Sequence, residues 1–188
     1  NTVFGHEFSG EIVELGSEVD ENSFRVGERV TSLPFFKGQN IGLSSVTGAY
    51  AEYLKVIPDQ VVKIPDEIDD LNAALVEPLA VGLHAVKMAG NIAQQNILII
   101  GAGPIGLACA TWCKFFGARN IVISEMSPAR IDMAKKLGFD QIVDPKDVDN
   151  QFEQIAGGPP DIQVECVGAP GIMQQCIERA PKRGFILG

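Results

Sequence analysis

One stretch limits what this chain can fold into. Residues 96–125 read NILIIGAGPIGLACATWCKFFGARNIVISE. Ile97 to Ile100 is an unbroken apolar run, the pattern of a strand buried on both faces of a parallel sheet. It leads straight into Gly101-Ala102-Gly103-Pro104-Ile105-Gly106. Leu107 to Phe116 is then apolar at helical spacing, and Gly117 stands where a helix would be capped. Ile121 to Ser124 forms a second buried-strand run that ends at Glu125.

Each glycine in the loop has a physical task. Gly101 permits a sharp turn out of the strand, Gly103 lets a ligand approach the backbone, and Gly106 lets the helix pack closely on the strand. The helix N-terminus offers unpaired N–H groups and partial positive charge to a pyrophosphate. Glu125, 19 residues beyond Gly106, stands where an acid accepts hydrogen bonds from an adenosine ribose diol. A carboxylate there repels a 2′-phosphate, so the expected cofactor is NAD rather than NADP. A tight strand-to-helix turn with no ligand is the plain alternative. Strand, glycines, helix, second strand and terminal acid in register are the full context the motif requires.

Downstream, strands and helices keep alternating. Helices are expected at Pro128–Leu137, Asp147–Ile155 and Ile172–Ala180, and strands at Gln141–Val143, Ile162–Cys166 and Phe185–Leu187. Such alternation predicts a doubly wound α/β sheet with right-handed crossovers. Residues 1–64 read differently. Phe8–Leu15, Val26–Val30, Gly48–Val56 and Gln60–Ile64 are short, alternating or turn-bounded runs, as in a small antiparallel barrel. Residues 31–47 read as a loop. Asp69-Asp70 predicts a helix start, and Pro78 a break, with one helix ending near Val76 and the next starting near Pro78. The expected division is a β domain over residues 1–76 and a nucleotide domain over 77–188.

The net charge is −9, and no Lys/Arg-rich run stands out, which argues against nucleic acid or an anionic membrane as partner. No apolar run approaches the roughly 20 residues of a membrane span. The four cysteines, Cys109, Cys113, Cys166 and Cys176, contain no CxxC pair. They read as packed thiols of a reducing, cytoplasmic compartment. The chain starts without methionine and ends on a strand-like run, so an internal segment of a longer protein is expected.

Two further motifs carry metal-capable side chains, Gly5-His6-Glu7 and Val76-Glu77-Pro78. His and carboxylate suit Zn²⁺, and a catalytic zinc takes three protein ligands and one open position. Taken alone, His6 reads first as a strand-end histidine and Glu77 as a solvated helix-end acid.

GHEFSGEIVELGSEV, VGERV, GAYAEYLKV, ALVEPLAVGLHAV and ILIIGAGPIGLACATWCKFFGA, in this order, resemble the zinc-dependent medium-chain alcohol and polyol dehydrogenases. The Glu of EPLAVGLHAV points to the sorbitol, butanediol and threonine dehydrogenase branch. The resemblance implies part of a GroES-like antiparallel β-barrel catalytic domain followed by a Rossmann domain. It implies one catalytic zinc, with His6 as a ligand, Glu7 as a carboxylate that binds the zinc directly in the polyol branch and lies close behind it in others, and Glu77 as a third ligand or as the residue holding the metal's water ligand. It implies an NAD site at Gly101, Gly103, Pro104, Ile105, Gly106 and Glu125. There Arg130 flanks the adenosine ribose, and Val167 lies near the nicotinamide half.

The implied reaction is reversible hydride transfer between a small-molecule secondary alcohol or polyol and NAD, in a homo-dimer or homo-tetramer. A zinc-free, quinone-reductase-like member and a non-catalytic NAD-binding protein are the alternatives. His84 reads as helix packing. Residues 31–47 hold no cysteine, so no structural zinc is expected. The family's cysteine ligand, the start of its proton relay and its sixth strand fall outside the segment, which is expected to be inactive by itself.

Overall fold

The structure, a computed structural model, describes residues 2–43 and 46–179. The chain divides into two compact units, Asn1–Glu77 and Pro78–Gly188.

In the first unit, β1 (Gly10–Glu11), β2 (Arg29–Ser32) and β5 (Val61–Lys63) form an antiparallel sheet in the order β1-β2-β5, with Gly10 opposite Val30 and Val30 opposite Lys63. The strand expected over residues 8–15 shrinks to two residues. Past Glu11 the pairing continues only through the Ile12 N–H to Glu28 and the Gly27 N–H to Ile12. Residues 48–56 form no strand. Their backbone is held instead at Ala49 and Tyr50, whose N–H groups donate to Gly5 and Phe4. Tyr50 and Tyr53 are 82% and 75% exposed, so their alternation marks no sheet face.

The expected loop at 31–47 contains a hairpin of β3 (Phe35–Phe36) and β4 (Gln39–Asn40). Its two turn residues, Lys37 and Gly38, have φ of +48° and +79°, the positive pair that a tight hairpin turn matching strand twist requires.

Asp69 caps α1 (Asp70–Ala73), accepting from the Asn72 N–H at 2.8 Å. Arg29 ties this helix to β2, donating to Asp70 Oδ1 from Nε and Nη2 at 2.9 and 2.7 Å and to the Ile68 carbonyl at 2.7 Å. The next helix, α2 (Val76–Met88), starts two residues before the expected position at Pro78. Pro78 falls in its first turn, where a missing N–H leaves no helical bond unmade.

In the second unit, β6 (Asn96–Ile100), β7 (Asn120–Ser124), β8 (Ile142–Val143) and β9 (Ile162–Glu165) form a parallel sheet in the order β8-β7-β6-β9. The helices are α3 (Pro104–Phe115), α4 (Pro128–Lys136), α5 (Val148–Ala156) and α6 (Ile172–Arg179). Alternate residues of β6 serve opposite faces. Ile97 and Ile99 pack with Val86, Cys109, Cys113 and Ala134, whereas Leu98 and Ile100 pack with Val148, Phe152 and Cys176. That two-sided burial is why the strand is apolar at every position. The strand expected at Phe185–Leu187 lies outside the described residues.

Gly82 of α2 is where that helix meets α3. A Cβ there would stand 2.7 Å from Ala108 Cβ and 2.9 Å from its carbonyl carbon. Alanine would favour the helix by about 1 kcal/mol over glycine, but overpacking against backbone costs about 1–3 kcal/mol. The Gly82→Ala variant is therefore expected to lose about 1 kcal/mol, read as a lower urea midpoint at unchanged slope.

Candidate metal and dinucleotide sites

Within the first unit, His6, Glu7 and Glu77 come together although Glu77 is remote in sequence. One ligand atom from each lies within 4.8 Å of the others, and His6 Nε2 stands 4.0 Å from Glu77 Oε1. Two devices hold them there. The His6 segment is clamped through Gly5 (φ +92°) and Phe4, whose carbonyls accept the Ala49 and Tyr50 N–H groups. The helical segment leading to Glu77 is stitched back by Ser9 Oγ, which donates to the Asp70 carbonyl at 2.9 Å, and by Arg29. Glu77 itself lies in the first turn of α2, where a carboxylate is favoured by the helix dipole.

The donor set, one imidazole nitrogen and two carboxylates, is of the kind a divalent zinc takes. A tetrahedral zinc with bonds of about 2.1 Å spaces its ligand atoms by about 3.4 Å. His6 Nε2 and Glu77 Oε1, 4.0 Å apart, stand somewhat beyond that spacing.

In the second unit, Gly101 leaves β6 with φ +100°, and a Cβ there would stand 2.8 Å from Val167 Cγ2. A Cβ on Gly106 would collide with the Gly101 carbonyl oxygen. Gly103 has nothing within 4 Å of the position its Cβ would take, and no side chain caps α3 at its N-terminus. Pro104 and Ile105 begin that helix. An open cradle facing unspent N–H groups is what a pyrophosphate needs.

Glu125 is only 7% exposed. Its carboxylate accepts the Ala102 N–H at 2.9 Å and the Met126 and Ser127 N–H groups at 2.8 Å each, with Arg130 Nη1 at 3.8 Å from Oε2. A carboxylate has about four acceptor positions, so capacity remains at Oε2 for a ribose hydroxyl. Burial alone would raise its pKa. The bonds from Ser127, Ala102 and Met126, with the Arg130 charge, hold it below the ordinary value.

Sequence reasoning overlooked Glu165. This residue ends β9 as Glu125 follows β7, is 4% exposed, and accepts the Val167 N–H at 2.6 Å and the Gly168 N–H at 3.0 Å. Its only hint in the sequence was an acid inside an apolar strand run, three residues before Gly168. Val167, expected near the cofactor, lies against Gly101. The cysteines are free. Burial, then the neighbouring Cys109, pushes the Cys113 thiol up to about 12, and Cys166 is raised by its hydrogen bond with Cys109 and by burial. Such thiols are packing groups, since reactivity requires the thiolate. His84, expected as a helix-packing residue, is instead exposed on α2, and it stands outside the His6, Glu7 and Glu77 group.

A depressed folded-state pKa means that Glu125 stabilises the fold above the ordinary carboxylate range, and that this contribution is lost as pH falls through the lowered value. The second unit is therefore expected to lose stability below about pH 4.5. Glu125→Gln should be less stable by about 1–3 kcal/mol at pH 7 and should show a shallower acid loss, measured by urea unfolding across pH 3–7.

A model of the alcohol dehydrogenase GroES-like domain matches residues 1–66, and one of the zinc-binding dehydrogenases matches residues 104–187. The (R,R)-butanediol dehydrogenase of Bacillus subtilis is 37% identical over 93% of this chain and 54% of its own length. The Bacillus subtilis sorbitol dehydrogenase is 32% identical over 97% and 57%. The crystal structure of the former superposes with a TM-score of 0.86 at 34% identity, over 99% of this chain and 58% of that one. A Sinorhizobium meliloti protein solved bound to NADP also gives 0.86, at 30% identity, over 98% and 60%. The chain thus spans little more than half the length of these relatives. Among the described residues no helix is long and apolar enough to cross a membrane. With one characteristic family domain matched in each unit, the chain belongs to the zinc-dependent medium-chain dehydrogenases.

Proposed function

We propose that the intact protein bearing this sequence transfers a hydride between a secondary alcohol or polyol and NAD, using one catalytic zinc. The observation that carries this reading is the convergence of His6, Glu7 and Glu77 in one unit, in a chain whose other unit has an open glycine cradle. When bound, zinc supplies a Lewis acid that polarises the substrate hydroxyl and eases its deprotonation. His6 offers a neutral nitrogen, while Glu7 and Glu77 balance the cation's charge. Gly101, Gly103, Gly106 and the start of α3 hold the pyrophosphate.

The Glu125 carboxylate accepts from the adenosine ribose and disfavours a 2′-phosphate. Arg130, whose side chain is 59% exposed, flanks it. The absence of cysteine from residues 31–47 supports a single zinc, and four free thiols support a reducing, cytoplasmic setting. A homo-dimer or homo-tetramer is the assembly this family likeness favours.

NADH formation by the intact protein, followed over polyols, vicinal diols, simple secondary alcohols and threonine, tests the proposal. Turnover abolished by a zinc chelator is expected, with NAD preferred over NADP. His6→Ala is expected to lower turnover about 100-fold or more and to reduce zinc content from about one per chain. Turnover that survives the chelator would return the chain to a zinc-free reading. NAD binding without turnover of any alcohol would mark a non-catalytic member.

A further inference from the structure

We infer that Glu165 is a positioning residue that sets the non-adenosine half of the dinucleotide site; the inference rests on the cofactor reading above. The sheet order β8-β7-β6-β9 places the reversal of strand order between β6 and β9. In open α/β sheets a ligand lies across the crevice at that reversal, beyond the carboxyl ends of the strands. Two chain segments form its walls in this unit, the turn of Gly101–Gly103 after β6 and residues 166–168 after β9.

Glu165 governs the second wall. Paired with Ile100 in the sheet, it turns its carboxylate back on its own loop and accepts from Val167 at 2.6 Å and Gly168 at 3.0 Å through Oε1. Gly168 takes φ +68° in the turn so formed. The result seats Val167 against Gly101, so tightly that a Cβ at Gly101 would meet Val167 Cγ2 at 2.8 Å and the Cys166 carbonyl oxygen at 3.2 Å.

The carboxylate is 4% exposed, and among the described residues no basic side chain forms an ion pair with it. Burying an acid with no cation is costly. What it receives in return is loop geometry. Its counterpart Glu125, beyond the other neighbour of β6, holds Ala102 from the opposite side. Because Glu125 stands on the adenosine side, the half of the ligand crossing towards β9 is the one whose seat Glu165 shapes.

The test measures binding of NADH and of ADP to the intact protein bearing this sequence, its Glu165→Met variant and its Glu165→Gln variant by titration calorimetry, with melting temperatures alongside. Met fills the volume without a strong acceptor. Gln keeps one oxygen able to take both N–H groups. The expected result is an NADH dissociation constant raised at least five-fold in Glu165→Met, an ADP constant within two-fold of wild type, and substantial recovery of NADH binding in Glu165→Gln.

Unchanged NADH binding in Glu165→Met, or equal loss of NADH and ADP, overturns the inference. Amide exchange on the unmodified chain decides the case if Glu165→Met does not fold. Protected Val167 and Gly168 amides support the turn, and amides exchanging at free-loop rates overturn it. A wild-type chain that binds ADP but not NADH overturns the positioning role. One that binds neither overturns the cofactor reading beneath it.

Discussion

The second unit depends on how closely α3 approaches the end of β6. Gly106 lies so near the Gly101 carbonyl that no side chain fits between them. That contact sets where the helix begins, and hence where its first N–H groups point. Above it, the turn is open at Gly103. Below it, the two-sided core of β6 holds the strand rigid, with Ile97 and Ile99 on one face and Leu98 and Ile100 on the other. A turn with a glycine at almost every bend would be soft in isolation. Here its ends are pinned by the sheet and by two carboxylates that accept its N–H and its neighbour's.

The first unit works by different means. Its sheet strands are two to four residues long, too short for ladders alone to bring His6, Glu7 and Glu77 together. Cross-links between irregular segments do that instead. Arg29 reaches from β2 to the start of α1, Ser9 bonds the same helix, and Gly5 accepts the Ala49 N–H. Each bond is worth about 1 kcal/mol at most in exposed positions. They matter through number and direction, since together they fix the chain on both sides of His6, Glu7 and Glu77.

These differences explain what was legible in the sequence. The β6-α3-β7 segment was readable to within a few residues because a strand buried on both faces, a glycine turn and an apolar helix leave few alternatives. The alternation of residues 8–15 and 48–56 was misleading. Period-two patterns also arise where a segment bonds to loops and exposes both sides, as Tyr50 and Tyr53 do. The hairpin at 35–40 was missed because Lys37-Gly38 is a weaker turn signal than Asn-Gly, and the start of α2 was misplaced because a first turn tolerates Pro78. His6 and Glu77 could be joined only through family resemblance, since sequence spacing says nothing of a contact made by tertiary cross-links. Glu165 went unnoticed because a buried acid cannot be told from a solvated one by residue type.

The inward N–H groups of the glycine turn and its neighbouring loop have one more consequence. Ala102, Met126, Ser127, Val167 and Gly168 already have anionic acceptors supplied by the protein. The turn therefore has no need of a phosphate to complete its internal bonding, and the donors left for a ligand are those that point outward from α3. A loop completed in this way is preorganised. On the cofactor reading proposed above, little conformational freedom would be left to lose on binding a dinucleotide, so affinity would go into contact rather than into ordering the receptor, and association would be a docking event rather than a folding one.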